Sequence, residues 1–123
     1  MFEVKVISDF SAAHSLREYK GQCEELHGHN WKVEVSVSSL GLDKLGLVID
    51  FRKLKRQLKP ILNLLDHKHI NKLSYFKKTN PSSENIAKFI YEKLASRIGT
   101  EFIMLKVTVW ENERSSATYY NEI

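Results

Sequence analysis

Cysteine is nearly missing from this chain: Cys23 is the single one among 123 residues. No intrachain disulfide can form, and a cysteine-rich zinc finger is excluded. Two prolines and five glycines leave no linker, repeat or low-complexity tract. No apolar run approaches the ~20 residues that cross a bilayer as a helix. Charge interrupts Met1-Phe2-Glu3-Val4-Lys5, so the N-terminus does not read as a secretory signal. A single domain over residues 1–123, working in the cytoplasm, is the expectation.

Hydrophobic residues make up 42% and charged residues 28% of the sequence, an ordinary globular balance. The net charge is +4 and the isoelectric point about 9.2. The densest basic group, Arg52, Lys53, Lys55, Arg56 and Lys59, reads as one solvated helix face rather than a nucleic-acid surface. A basic balance also suits a polyanionic small substrate such as a phosphate ester.

Residues 2–9 read as a strand with Phe2, Val4 and Val6 on one face. Residues 31–37 alternate Trp31, Val33, Val35 and Val37 against Lys32, Glu34 and Ser36, the pattern of a half-buried strand. Gly41 and Gly46 bracket a loop, and Asp50 is a suitable N-cap. Phe51, Leu54, Leu58, Ile61, Leu62 and Leu65 then recur at helical spacing, with Pro60 predicting a kink or a break. Residues 68–80 are irregular. Pro81 and Ser82 open a second helix striped by Ile86, Phe89, Ile90 and Leu94 and ended by Gly99. Residues 102–110 alternate again, and 117–122 read as a closing strand. Two hairpins flanking two helices predict an α+β domain, ββααββ, with an antiparallel sheet covered on one face. The uncovered face would carry Lys32, Glu34, Ser36, Lys106 and Thr108. That face and two free edges predict self-association, edge to edge around a polar lumen.

Three of the five histidines, His14, His27 and His29, fall where the first two strands would pair. His27 and His29 are two residues apart and share a strand face with Trp31. Gly28 between them leaves room for a backbone or a ligand. Three imidazoles with a fourth position open is the pattern of a catalytic zinc site. From chemistry alone Cys23 has two readings: a fourth ligand closing a structural site, or a reactive group beside the metal. Imidazoles also accept iron, nickel or copper.

Several motifs together resemble the 6-pyruvoyltetrahydropterin synthase family. They are Phe10-Ser11-Ala12-Ala13-His14, Cys23 through Trp31, Ile49-Asp50-Phe51, Leu65-Asp66-His67, Asn80 through Asn85, and Trp110-Glu111. The three-residue gap between Cys23 and His27 is similar to the bacterial branch that forms 6-carboxy-5,6,7,8-tetrahydropterin for queuosine. The resemblance implies the tunnelling fold (T-fold), whose subunits join into barrels as a homohexamer of two trimers. It implies 7,8-dihydroneopterin triphosphate as substrate, with Zn2+ on His14, His27 and His29. Cys23 would supply a thiolate base, and Asp66 with His67 a proton-relaying dyad. Glu111 would anchor the pterin through two parallel N–H bonds. Ser82, Ser83 and Glu84 would lie near the pterin pocket, although helix capping explains them equally well. The closest alternatives keep the site and change the product: a 6-pyruvoyltetrahydropterin-forming enzyme, or an aldolase-like one, since some relatives use a glutamate in this loop, where Glu24 and Glu25 stand, to make 6-hydroxymethyldihydropterin. A zinc-stabilised nucleic-acid-binding module is the non-enzymatic alternative.

Overall fold

The computed structural model describes residues 1–121. Strand β1 (Phe2–His14) and strand β2 (His27–Ser39) form a long antiparallel pair. Helix α1 (Phe51–Asn63), the two-residue strand β3 (Lys68–His69), helix α2 (Ser83–Ile98), strand β4 (Met104–Asn112) and strand β5 (Ser115–Tyr119) follow. The sheet order is β3-β1-β2-β4-β5, with β3 running parallel to β1. Of the closing strand predicted over 117–122, residue 122 lies outside the described residues.

Alternation places Val6, Phe10, Ala12 and His14 of β1 on the inner face. Directly across, Trp31, Val33, Val35 and Val37 of β2 are fully buried, and Val107 and Val109 of β4 extend the layer. Helix α1 covers this face with Leu54, Leu58, Ile61 and Leu62, and α2 with Ile86, Ala87, Phe89, Ile90, Leu94 and Ile98. The opposite face stays polar, with Lys5, Lys32 and Glu34 paired across it. Both helices sit on one side of the sheet, as the sequence predicted. Asp50 caps α1 by accepting from the Arg52 N–H at 2.8 Å. The five basic residues of the 52–59 group are all exposed.

Four expectations need correction. Both leading strands run further toward the histidines than the apolar pattern suggested, to His14 and from His27. Small and polar residues there hide the period, but the pairing register continues through His14↔His27. Pro60 neither breaks nor splits α1, which is continuous to Asn63. Leu58, Ile61 and Leu62 anchor the helix in the core on both sides of the ring. Pro60 and Arg56 are exposed, so the helical bond that the Arg56 carbonyl forgoes is lost on the solvent side of the helix. Phe51, expected in the apolar stripe, is exposed. Residues 68–80 also hold more order than predicted: β3 and two 3-10 turns, Ile70–Lys72 and Ser74–Phe76.

Candidate metal centre

The β1–β2 register sets His14 opposite His27 and Ala12 opposite His29, so the three imidazoles converge at one end of the helix-covered face. Glu111, from the end of β4, joins them. The ligating atoms of His14, His27, His29 and Glu111 lie within 4.8 Å of one another. Trp31 forms the floor, edge-on to His14 and His29 at ring separations of 4.8 and 5.2 Å. Its indole N–H donates to the Ala12 carbonyl at 3.2 Å, which locks the ring against β1.

Two tautomers are fixed from behind. His14 is buried, and its Nδ1 lies 2.7 Å from the Pro81 carbonyl. A carbonyl can only accept, so Nδ1 carries the proton and Nε2 offers a bare lone pair. The same logic applies to His27, whose Nδ1 meets the Glu25 carbonyl at 2.9 Å. The two Nε2 atoms face each other at 3.1 Å, close enough to share a proton or a metal ion. That arrangement repels unless a cation is shared. His29 Nε2 is buried without a hydrogen-bond partner, although Glu111 Oε1 is 2.9 Å away; the approach is short but not aligned for a hydrogen bond. Burial pushes the His29 pKa down, outweighing the upward pull of Glu111, and His27 and His14 lower it further. Burial thus favours the neutral, lone-pair-bearing form of His29, and His14 and His27 turn their Nε2 atoms to the same point. With zinc–nitrogen bonds of about 2.0–2.1 Å, the edge of a tetrahedral site is ~3.3 Å. The donor set and its spacing fit a metal ion.

The segments flanking the cluster are tied down by three asparagines, of which Asn80 and Asn85 stand at the ends of one family-like motif and Asn71 had no sequence signal. Asn71 accepts from the Ser15 N–H and donates to the Ser15 carbonyl, at 2.9 and 2.8 Å. Asn80 does the same for Arg17, at 2.8 and 3.0 Å. Asn85 donates to the Asn80 carbonyl at 2.9 Å. The chain leaving His14 is thus gripped by two asparagine side chains that imitate a neighbouring strand. The motif Asn80 through Asn85 pointed to the second tie, with Asn80-Pro81 also a common helix start.

Cys23 is exposed in the loop between β1 and β2. The loop is closed by Glu24, whose N–H donates to the Leu16 carbonyl at 2.8 Å and whose carboxylate accepts from the Leu16 N–H at 3.2 Å. Ser82 caps α2, accepting from the Asn85 N–H at 3.2 Å. Ser83 and Glu84 form the first helical turn beside it. Their link to the cluster runs through Pro81, whose carbonyl holds His14.

Asp66 and His67 form an ion pair or hydrogen bond, with Oδ2 and Nδ1 3.0 Å apart. The Ser11 N–H donates to Asp66 Oδ1 at 2.9 Å, and the His67 N–H donates to the Ser11 carbonyl at 2.6 Å. These bonds hold His67 in left-handed backbone at φ 57°, a conformation that costs a non-glycine residue about 1 kcal/mol or more. The Ser11 N–H, and then His67, hold the Asp66 carboxyl below its ordinary range. The structure does not gather this dyad into the histidine cluster. His67 lines an open groove of about 570 Å³ whose walls include Ser11, Ala13, Gly28 and Asn30. By strand parity those four project from the polar face, opposite His14, His27 and His29, and Ala12 and His29 of the inner face line the groove as well. Its imidazole is 83% exposed. A Cβ on Gly28 would sit 3.7 Å from the Ala12 carbonyl, an ordinary contact. The chain's own packing therefore does not demand glycine there.

An α+β chain with one polar sheet face and a histidine-rich cluster fit for a metal ion at the sheet end defines the class. The family model described as 6-pyruvoyl tetrahydropterin synthase matches residues 3–122, and the chain belongs to that family. A Synechocystis 6-carboxy-5,6,7,8-tetrahydropterin synthase is 37% identical over 91% of this chain and 88% of its own length. A Pyrococcus furiosus dihydroneopterin monophosphate aldolase is 36% identical over 85% of this chain and 84% of its own. Among solved structures, a Caenorhabditis elegans 6-pyruvoyl tetrahydropterin synthase superposes with a TM-score of 0.84 at 28% identity, covering 98% of this chain and 96% of that one. The fold is the T-fold of these enzymes.

Proposed function

We propose that this pterin synthase family member is a 6-carboxy-5,6,7,8-tetrahydropterin synthase of the cytoplasm, serving queuosine formation. It would convert 7,8-dihydroneopterin triphosphate to 6-carboxytetrahydropterin, acetaldehyde and triphosphate. The observation that carries the reading is the convergence of His14 Nε2 and His27 Nε2 at 3.1 Å beside His29, with Cys23 four residues before His27. Zn2+ held by the three histidines would act as a Lewis acid toward the oxygens of the substrate side chain.

The chain's own groups supply the rest. Pro81 and Glu25 carbonyls keep His14 and His27 in the ligating tautomer. Cys23, on the clasped loop, is the base that removes a side-chain proton. Asp66 holds Nδ1 of His67, leaving Nε2 as the atom that exchanges a proton with the substrate. Because the dyad lies outside the cluster of converging donors, the complete site takes His67 from a neighbouring copy of the chain, in a homohexamer of two trimers.

Product analysis tests this. Incubation with 7,8-dihydroneopterin triphosphate is expected to give 6-carboxytetrahydropterin and acetaldehyde; 6-pyruvoyltetrahydropterin as the product would overturn the assignment. The second reading is an aldolase outcome giving 6-hydroxymethyldihydropterin, favoured by the name of the Pyrococcus relative. Against it, the Glu24 carboxylate is occupied by the Leu16 N–H and lies 3.8 Å from His27 Nδ1. The same incubation separates the two.

A further inference from the structure

Glu111 stands in an unexpected place for a residue whose motif points to pterin anchoring. Its Oε1 is 2.9 Å from His29 Nε2, 3.3 Å from His14 Nε2 and 3.8 Å from His27 Nε2. With the His14–His27 separation of 3.1 Å, these distances bracket the ~3.3 Å edge of a tetrahedral zinc site. We propose that in the substrate-free protein Glu111 is the fourth metal ligand, and that it leaves the metal when the ring of a pterin takes its carboxylate. The second half rests on the pterin reading above.

The backbone explains both the reach and the freedom to leave. Parity along β4 puts Glu111 on the face of Leu105, Val107 and Val109, aimed at the histidine end of the sheet. It also lies at a register shift in the β4–β5 pairing, between Trp110 and Asn112. A bulged residue is unpaired and can be re-aimed without dismantling the ladder. The carboxylate is about one-third exposed, so a ligand can reach it from solvent. Cys23, the other candidate for the fourth place, is not in the cluster of converging donors.

Chemistry favours the exchange. Three neutral imidazoles leave a divalent ion with its full charge beside Trp31, and a carboxylate halves that charge. A pterin offers two parallel N–H donors from its 2-amino and N3 edge, a fork that matches one carboxylate. A carboxylate turned to that fork vacates the metal. The position it leaves is the one that the substrate's side-chain oxygens require. Ring recognition and opening of the metal are then one event, so oxygen ligands lacking the ring meet a closed site.

The test uses the full-length assembled protein loaded with Co2+, whose visible spectrum reports its ligands. A pterin without side-chain oxygens is the probe, and its binding is followed separately by its fluorescence. In the wild type, the cobalt spectrum is expected to change saturably with pterin occupancy. Glu111→Gln and Glu111→Ala are expected to bind metal at least ~10-fold more weakly in chelator competition and to show no pterin-dependent change. Cys23→Ala is expected to keep wild-type metal affinity and spectrum. Wild-type metal affinity in both Glu111 variants overturns the proposal. So does a cobalt–thiolate charge-transfer band that disappears in Cys23→Ala. A wild-type spectrum indifferent to bound pterin removes the exchange and leaves the proposed reaction standing. Failure of pterin to bind at all sinks the pterin reading and the exchange together, and the affinity comparison still decides the resting ligand.

Discussion

Asp66 shows how much one side chain can do at the sheet edge. Its carboxylate accepts from the Ser11 N–H and holds His67 Nδ1, while the backbone beside it is bent into the left-handed region. The pKa of this carboxyl is lowered in the folded state from the ordinary 3.8. A depressed carboxyl stabilises the fold above its unfolded value and loses that contribution as pH falls through its folded one. Asp66→Asn is therefore expected to be less stable than the wild type at pH 7. The gap should close on acidification below 3.8, as measured by urea denaturation across pH; a gap independent of pH would refute the assignment. The dyad's internal pairing was legible in the sequence, since the two residues are adjacent. Its separation from the metal was not, because it depends on β3 pairing with β1. Likewise the histidine parity could be read from a period of two, whereas Glu111 reaches the cluster only through the β2–β4 register.

At the scale of elements, two features invite measurement. Pro60 sits in the interior of a helix that runs on without a break. Proline there costs up to ~3 kcal/mol relative to alanine, and this one is exposed. Pro60→Ala should raise stability by about 1–3 kcal/mol, read as a higher denaturation midpoint with unchanged activity. Asn80 makes two reciprocal bonds to the Arg17 backbone. Asn80→Ala is expected to cost about 2 kcal/mol, at ~1 kcal/mol per lost bond, in equilibrium unfolding. The four longer strands, both helices and their order followed from alternation, capping and helical spacing, whereas β3, two residues long, has no period to read. Strand ends did not, because Ser11–His14 and His27–Asn30 lack the apolar period and are extended by pairing alone.

At the scale of the molecule, the sheet is unfinished. Strand β3 covers β1 only at Ala12 and Ala13, so the edge from Phe2 to Asp9 has no strand beside it among the described residues, and Phe2 and Ile7 are exposed there. An edge of this length favours pairing with another chain. If one copy supplies Cys23 and the histidines and its neighbour supplies His67, two inactive variants can rescue each other. Co-assembled Cys23→Ala and His67→Ala chains are expected to regain about a quarter of wild-type activity, the share of sites that random mixing leaves intact at a shared interface. No recovery on co-assembly would place the whole site in one chain.

The bond from His14 to the Pro81 carbonyl spans 67 residues of sequence. It ties the candidate metal centre to the first turn of α2, where the Ile86 N–H donates to the Ser82 carbonyl. Thermodynamic linkage makes that tie run both ways: whatever steadies the imidazole also steadies the helix start. Removal of the metal should speed hydrogen–deuterium exchange at Asn85 and Ile86, with Val35 in the central strand unchanged. The amides at the start of this helix would then serve as a gauge of metal occupancy that needs neither substrate nor turnover.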